Sequence, residues 1–141
     1  MKCIWCGKKL TEENKDKLVC YELDYNKFYF CSEKELAIFL ILLDKVQKNK
    51  SKFLILVFLS MLGSIASEII YGAININLIP WGSGAWGGLL LGWTLIKYPY
   101  ATPQTNSILG IKTSMKIVKR MGYILLFLGI LCFYFFLVQI F

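Results

Sequence analysis

Four of the five cysteines lie within the first 31 residues, at positions 3, 6, 20 and 31; the fifth, Cys132, stands alone inside a long apolar run. The segment Cys3-Ile4-Trp5-Cys6-Gly7 has the spacing and following glycine of a metal knuckle, a tight turn that brings two thiolates onto one ion. The chain has no histidine, which removes serine–histidine and cysteine–histidine catalysis and every histidine-ligated metal site. The glycines between positions 82 and 92 lack the Lys and Ser/Thr of a phosphate-binding loop, and no carboxylate dyad is recognisable. The groups able to do chemistry reduce to the N-terminal thiols and one acid inside an apolar segment, Glu68. These do not make an enzyme, and no small-molecule substrate is expected.

The elements that must position the thiols can be read from the residues between them. Residues 18–31, LVCYELDYNKFYFC, read as a β-hairpin turning at Tyr25 and Asn26, though without the preferred turn glycine. In that register Tyr21 faces Phe30 and Leu23 faces Phe28, gathering an apolar side, and Cys20 falls opposite Cys31 on the other. Cross-strand Cβ atoms lie ~4.5–5.5 Å apart, close enough for both to reach one ion. Ser32 is a natural N-cap with Glu35 three positions on as its capping-box partner. Cys31 therefore precedes a helix, whose unpaired amides favour a thiolate. The helix continues through LAIFLILLDKV. Leu36, Phe39, Leu40 and Leu43 can cover the hairpin, while Ile38, Ile41 and Leu42 need another surface.

A CxxCG knuckle, a hairpin ending in Tyr29-Phe30-Cys31-Ser32 and a following helix together resemble the small treble-clef zinc fingers of the TRASH and FCS-like group, over about residues 1–40. The resemblance implies a small α+β zinc finger over residues 1–48, and the group is associated with metal sensing, metal handling and protein contacts. The family pattern usually supplies a fourth cysteine a few residues after the FCS, where this chain has Glu35. Cys20 is expected to take that role, completing an all-thiolate metal site of Cys3, Cys6, Cys20 and Cys31, with Glu35 the other candidate for fourth ligand. All-thiolate tetrahedral ligation favours zinc, with iron second. A closed four-ligand site leaves no position for water or substrate. A Cys20–Cys31 disulfide and a redox CxxC are the competing readings. The cytosolic placement argued below disfavours the first, and the absence of a βαβ setting disfavours the second.

The rest of the chain reads as membrane sequence. Apolar residues make up 57% and the mean hydropathy is +0.56, against roughly 45–50% apolar in globular chains. Residues 53–96 carry one charge, Glu68, whereas residues 1–52 carry eleven Lys and eight acids. Three segments, 53–74, 78–97 and 121–141, approach or exceed the ~20 residues that cross a bilayer. Lys45, Lys48, Lys50 and Lys52 precede the first. The 75–77 link carries no charge, whereas five basic residues, Lys97 at the end of the second segment and Lys112, Lys116, Lys119 and Arg120 after it, precede the third. That pattern predicts an integral membrane protein with its N-terminus cytoplasmic and its C-terminus on the outer side. No signal peptide is expected, because the first 20 residues are polar. Residues 107–120 read as an amphipathic helix with Ile108, Ile111, Met115 and Val118 on one side and Lys112, Lys116 and Lys119 on the other. It is expected on the inner membrane surface or running directly into the third span.

Gly84, Gly88 and Gly92 lay a bare groove along the second segment, and Ser60, Gly63, Ser64 and Ser67 a matching stripe on the first; these are expected to pack together or to mediate oligomerisation. The fold expected is a treble-clef-like α+β finger followed by an all-α domain of three transmembrane helices. The function expected is a membrane-anchored interaction or assembly module, with a protein partner or a second copy. A metal-responsive or metal-handling component, and a small oligomeric channel or transporter subunit using Glu68, are the alternatives. The net charge of +7 flanks apolar segments rather than forming a basic domain, which argues against nucleic acid.

Overall fold

A computed structural model of the chain describes residues 2–9, 19–23, 26–74 and 79–140. The order of elements is β1 (Val19–Leu23), β2 (Asn26–Phe30), α1 (Glu33–Ile74), α2 (Ile79–Lys97), α3 (Pro103–Leu109) and α4 (Ile111–Ile140). The link 75–77 and the expected turn residue Tyr25 lie outside the described residues.

The hairpin forms, in a register different from the expected one. β1 and β2 are antiparallel with Val19 opposite Phe30, Cys20 opposite Tyr29, Tyr21 opposite Phe28 and Leu23 opposite Asn26. Relative to the predicted pairing, each β1 residue meets a partner two positions earlier. Side chains alternate with period two, so this shift keeps Tyr21, Phe28 and Phe30 on one face while changing who sits opposite whom. The apolar pattern therefore tolerates either register, and Cys20 loses Cys31 as its cross-strand partner.

The chain divides into two compact units, Met1–Asn49 with Tyr100–Ile117 and Lys50–Pro99 with Val118–Phe141. The first is built on Phe30, Phe39 and Ile111, which are buried together. Ile4, Trp5, Val19, Tyr21, Phe28, Leu36, Leu42, Leu43 and Met115 pack around them. Phe39 meets both hairpin aromatics, with ring centroids 5.1 Å from Phe30 and 6.1 Å from Phe28. Leu36 and Leu43 cover the hairpin as the helical spacing predicts. Leu42 joins them, whereas Ile38, Leu40 and Ile41 are exposed. Residues 107–120 do not form the one amphipathic helix expected. Gly110, at φ +80°, ends α3 and is followed at once by α4, so Ile108 is exposed on α3 while Ile111 is buried on α4. Thr102 caps α3, accepting from the Thr105 amide, with Pro103 in the first turn.

α1 runs unbroken for 42 residues. Between the apolar stretches the sequence Lys45-Val46-Gln47-Lys48-Asn49-Lys50-Ser51-Lys52 contains neither Gly nor Pro, so nothing stops the helix where the composition changes. The Asp44–Lys48 pair at 3.0 Å is exposed on both sides and adds little.

In the second unit α2 runs antiparallel to both of its neighbours. Its glycine face meets α4 rather than the small stripe of α1. A Cβ on Gly88 would lie 2.7 Å from Gly129 Cα, one on Gly92 2.5 Å from the Leu126 amide nitrogen, and one on Gly84 3.0 Å from Cys132 Sγ. The stripe on α1 takes a different side of α2: Ser64 faces Gly87, Trp86 lies over Gly63, and the Trp86 indole donates to the Leu59 carbonyl at 3.4 Å. The expected partnership of the two stripes is thus corrected. Two backbones approach only where both surfaces lack side chains, and Gly122 and Gly129 give α4 the barer face. Tyr71 packs edge-on against Phe136 at 4.8 Å, and Trp81 lies tilted against Phe135 at 4.9 Å.

Among the described residues, two helices, α1 and α4, are long and apolar enough to cross a membrane, where the sequence predicts three. α2 has 19 residues, but five are glycine and three are tryptophan, which contribute little to hydropathy. Its composition serves close packing instead.

Gly88→Ala should destabilise the helical unit by roughly 1–3 kcal/mol, because the new methyl group meets backbone that cannot swing aside. Gly72→Ala, on an exposed part of α1, should be neutral or stabilising, since Ala favours helix by about 1 kcal/mol. Thermal unfolding of both variants in one detergent checks this; an equal effect would mean that the α2–α4 contact is looser than described.

Candidate metal centre

The knuckle is closed by its own backbone. The Cys3 amide donates to the Lys8 carbonyl and the Gly7 amide to the Cys3 carbonyl, both at 2.9 Å, and Lys2 and Lys9 form an antiparallel bridge. Gly7 completes the turn at φ +77°, a conformation that a side chain would strain. The Ile4 amide donates to the Tyr29 carbonyl at 3.0 Å, which fastens the knuckle beside β2. Cys31 follows β2 directly, and Ser32 caps α1: its hydroxyl accepts from the Glu35 amide at 3.4 Å. Glu35 occupies the capping-box position, but its carboxylate accepts from the Cys31 amide, at 3.1 Å, and so points back toward the thiols.

The consequence is a cluster of four potential ligands. Cys3 Sγ, Cys6 Sγ, Cys31 Sγ and a Glu35 carboxylate oxygen all lie within 4.8 Å of one another. The Cys3 thiol donates to Glu35 Oε2 at 3.3 Å, and Cys6 and Cys31 sulfurs are 3.5 Å apart. Tetrahedral zinc with Zn–S of ~2.3 Å places its ligand atoms about 3.5–3.8 Å from one another. The four groups are therefore close enough to hold a metal ion. Cys3 is buried, and the other three are half-buried.

Electrostatics describe the same crowding. Burial pushes the Cys31 thiol far above its ordinary range, and the neighbouring Cys3 and Cys6 thiols push it further. Burial also raises Cys3. Burial acts in the same direction on Cys6, but hydrogen bonding to the Lys8 backbone and to the other two thiols outweighs it and brings Cys6 below its usual value. Three thiols this close cannot all ionise by themselves; a cation bound among them would allow it.

The sequence-predicted ligands Cys3, Cys6 and Cys31 are brought together, and Cys20 is not. Cys20 is exposed, opposite Tyr29, outside the cluster. Of the two candidates for fourth ligand it is Glu35 that lies within the cluster, because the two-residue shift removes Cys20 from Cys31 and the first turn of α1 delivers a carboxylate instead. The capping-box spacing was the available signal, since a residue that reaches back over a helix start also reaches the residue before it.

A second feature went unread in the sequence. The two knuckle residues between the cysteines accept from the first amides of α4: Ile111 donates to the Ile4 carbonyl at 2.9 Å and Lys112 to the Trp5 carbonyl at 3.0 Å. Gly110 and Gly7 meet at this contact. A Cβ on Gly110 would lie 2.5 Å from the Gly7 nitrogen, and one on Gly7 2.7 Å from the Leu109 carbonyl oxygen. Fully buried Ser114 braces the corner, donating to Gly110 and Thr105 carbonyls at 2.9 and 3.2 Å. Comparisons with protein-family models, with curated proteins and with solved structures give no match.

Gly110→Ala should destabilise the cysteine unit by at least about 1–2 kcal/mol from the left-handed backbone alone, before the clash with the knuckle. Amide exchange checks it: Ile111 and Lys112 should lose protection first, and unchanged protection there would separate α4 from the knuckle.

Proposed function

We propose that this chain is a membrane-anchored zinc-binding protein whose cysteine unit is a non-enzymatic interaction or assembly module. The observation that carries the reading is the convergence of three thiols and one carboxylate from the knuckle, the end of the hairpin and the first turn of α1. Thiolate-rich ligation favours zinc, with iron second. Among the described residues three apolar side chains form the buried centre of the unit, a core too small to fix an irregular knuckle, so a bound ion would supply much of its rigidity. The resemblance to treble-clef fingers supports the same conclusion, with Glu35 in place of the usual last cysteine.

In this reading α1 and α4 anchor the unit in a bilayer, and α2, packed antiparallel between them, carries the chain back across it. Basic residues precede the apolar stretch of each helix, Lys45 to Lys52 on α1 and Lys112 to Arg120 on α4, which puts the cysteine unit in the cytosol and the C-terminus outside. The exposed Ile38, Leu40 and Ile41 offer a surface to a protein partner or a second copy. A metal-responsive role is the second reading, and the carboxylate ligand favours it, since a harder oxygen donor holds zinc less firmly than a fourth thiolate would. The channel reading has less behind it. Glu68 is exposed on α1 and makes no hydrogen bond or ion pair among the described residues, so no relay partner stands beside it.

Elemental analysis of protein purified in detergent under reducing conditions tests the reading. About one zinc per chain is expected, lost in Cys3→Ser and Cys31→Ser and retained in Cys20→Ser. Glu35→Ala should weaken binding at least about tenfold in chelator competition. Metal-free wild-type protein would sink the proposal; loss of zinc in Cys20→Ser would restore the all-thiolate set. For the metal-responsive reading, mild chelation should raise exchange at Ile111 and Lys112 about fivefold, the factor worth one hydrogen bond, while residues 121–138 stay protected.

A further inference from the structure

Lys112, Lys116, Lys119 and Arg120 fall at i, i+4, i+7 and i+8 on α4, and all four are exposed. Ile111 and Ser114 are buried and Met115 and Val118 half-buried, so the helix has one packed face and one cationic face. Among the described residues no acid answers this stripe. The sequence has no Asp or Glu after Glu68, and none of the four cations makes an ion pair among the described residues.

Two local terms oppose such an arrangement. Like charges at i,i+4 spacing repel one another, and cations in the first turns of a helix face the positive end of its macrodipole. An external anion reverses the first term and offsets the second. The nature of that anion follows from what lies beyond. At 100° per residue the same face continues through Tyr123, Phe127 and Ile130, which are 52%, 61% and 52% exposed. One helix face thus passes, within about a turn, from four cations to an exposed apolar strip. A free phosphate or a nucleic acid would match only the cations.

We propose that this face of α4 binds an anionic phospholipid, with its phosphate among Lys112, Lys116, Lys119 and Arg120 and its acyl chains along Tyr123, Phe127 and Ile130. The inference rests on the reading of α4 as a membrane helix and adds a specific lipid site to it. Binding at this site is distinct from the general bias of basic loops toward one side of a bilayer, because it requires selectivity from one helix face.

The test uses the full chain in micelles holding equal amounts of phosphatidylglycerol and phosphatidylcholine, with retained lipids counted by intact-complex mass spectrometry. Wild-type protein should retain phosphatidylglycerol preferentially. Lys116→Gln, an exposed change that the fold tolerates, should reduce the preference about fivefold, and Lys112→Gln/Lys116→Gln/Arg120→Gln should abolish it. Lys97→Gln, at the end of α2, should leave it intact. Absence of a preference in the wild type, its survival in the triple variant, or an equal loss in Lys97→Gln would each overturn the proposal. So would displacement by soluble glycerol phosphate, which would mean that the headgroup alone is recognised. A chain that stays soluble without detergent would instead overturn the membrane reading, so the two failures are distinguishable.

Discussion

The first amides of a helix have no partners within it and must find acceptors elsewhere. In α4 the acceptors are the Ile4 and Trp5 carbonyls, which are free because the knuckle curls its backbone around the cysteine sulfurs and turns the middle of the loop outward. Much of the cysteine unit depends on this one contact. It joins residues more than a hundred positions apart, buries Ile111 against Phe30 and Phe39, and forces glycine at both Gly7 and Gly110 because the two backbones touch. The irregular knuckle and the start of a long regular helix therefore hold each other in place.

The same contact gives the cluster its meaning. Cys3 and Cys6 flank the two carbonyls that cap α4, and Glu35 stands in the first turn of α1. A metal bound by these residues would link the starts of both long apolar helices to one small site. That arrangement suits an assembly module with a fixed geometry, and equally a module that passes on whether its ion is present. Both proposed roles use the same atoms and differ in how firmly the ion is held.

In the helical unit the governing constraint is backbone proximity. Gly88, Gly92, Gly122 and Gly129 let α2 and α4 approach until main-chain atoms touch, and Ser64 and Gly63 on α1 receive the opposite side of α2. Membrane-type helices gain little from burying apolar side chains against one another when lipid is the alternative, so small residues and close packing decide their partners. This accounts for the composition of α2: its glycines and tryptophans shape it for packing.

The local elements are legible in the chain's own pattern: the knuckle from Cys-x-x-Cys-Gly, the hairpin from its alternating aromatics, the start of α1 from Ser32 and Glu35, and the apolar stretches of α1 and α4. These depend on short-range periodicity and capping, which a linear reading contains. It could not fix the hairpin register, because a shift of two residues leaves the same face apolar, and so it assigned Cys20 where Glu35 stands. It also could not see that residues 103–117 return to the cysteine unit, or that the glycine face of α2 meets α4. Those outcomes rest on which distant backbones can touch. A glycine advertises that close approach is possible, and only the tertiary structure decides with whom.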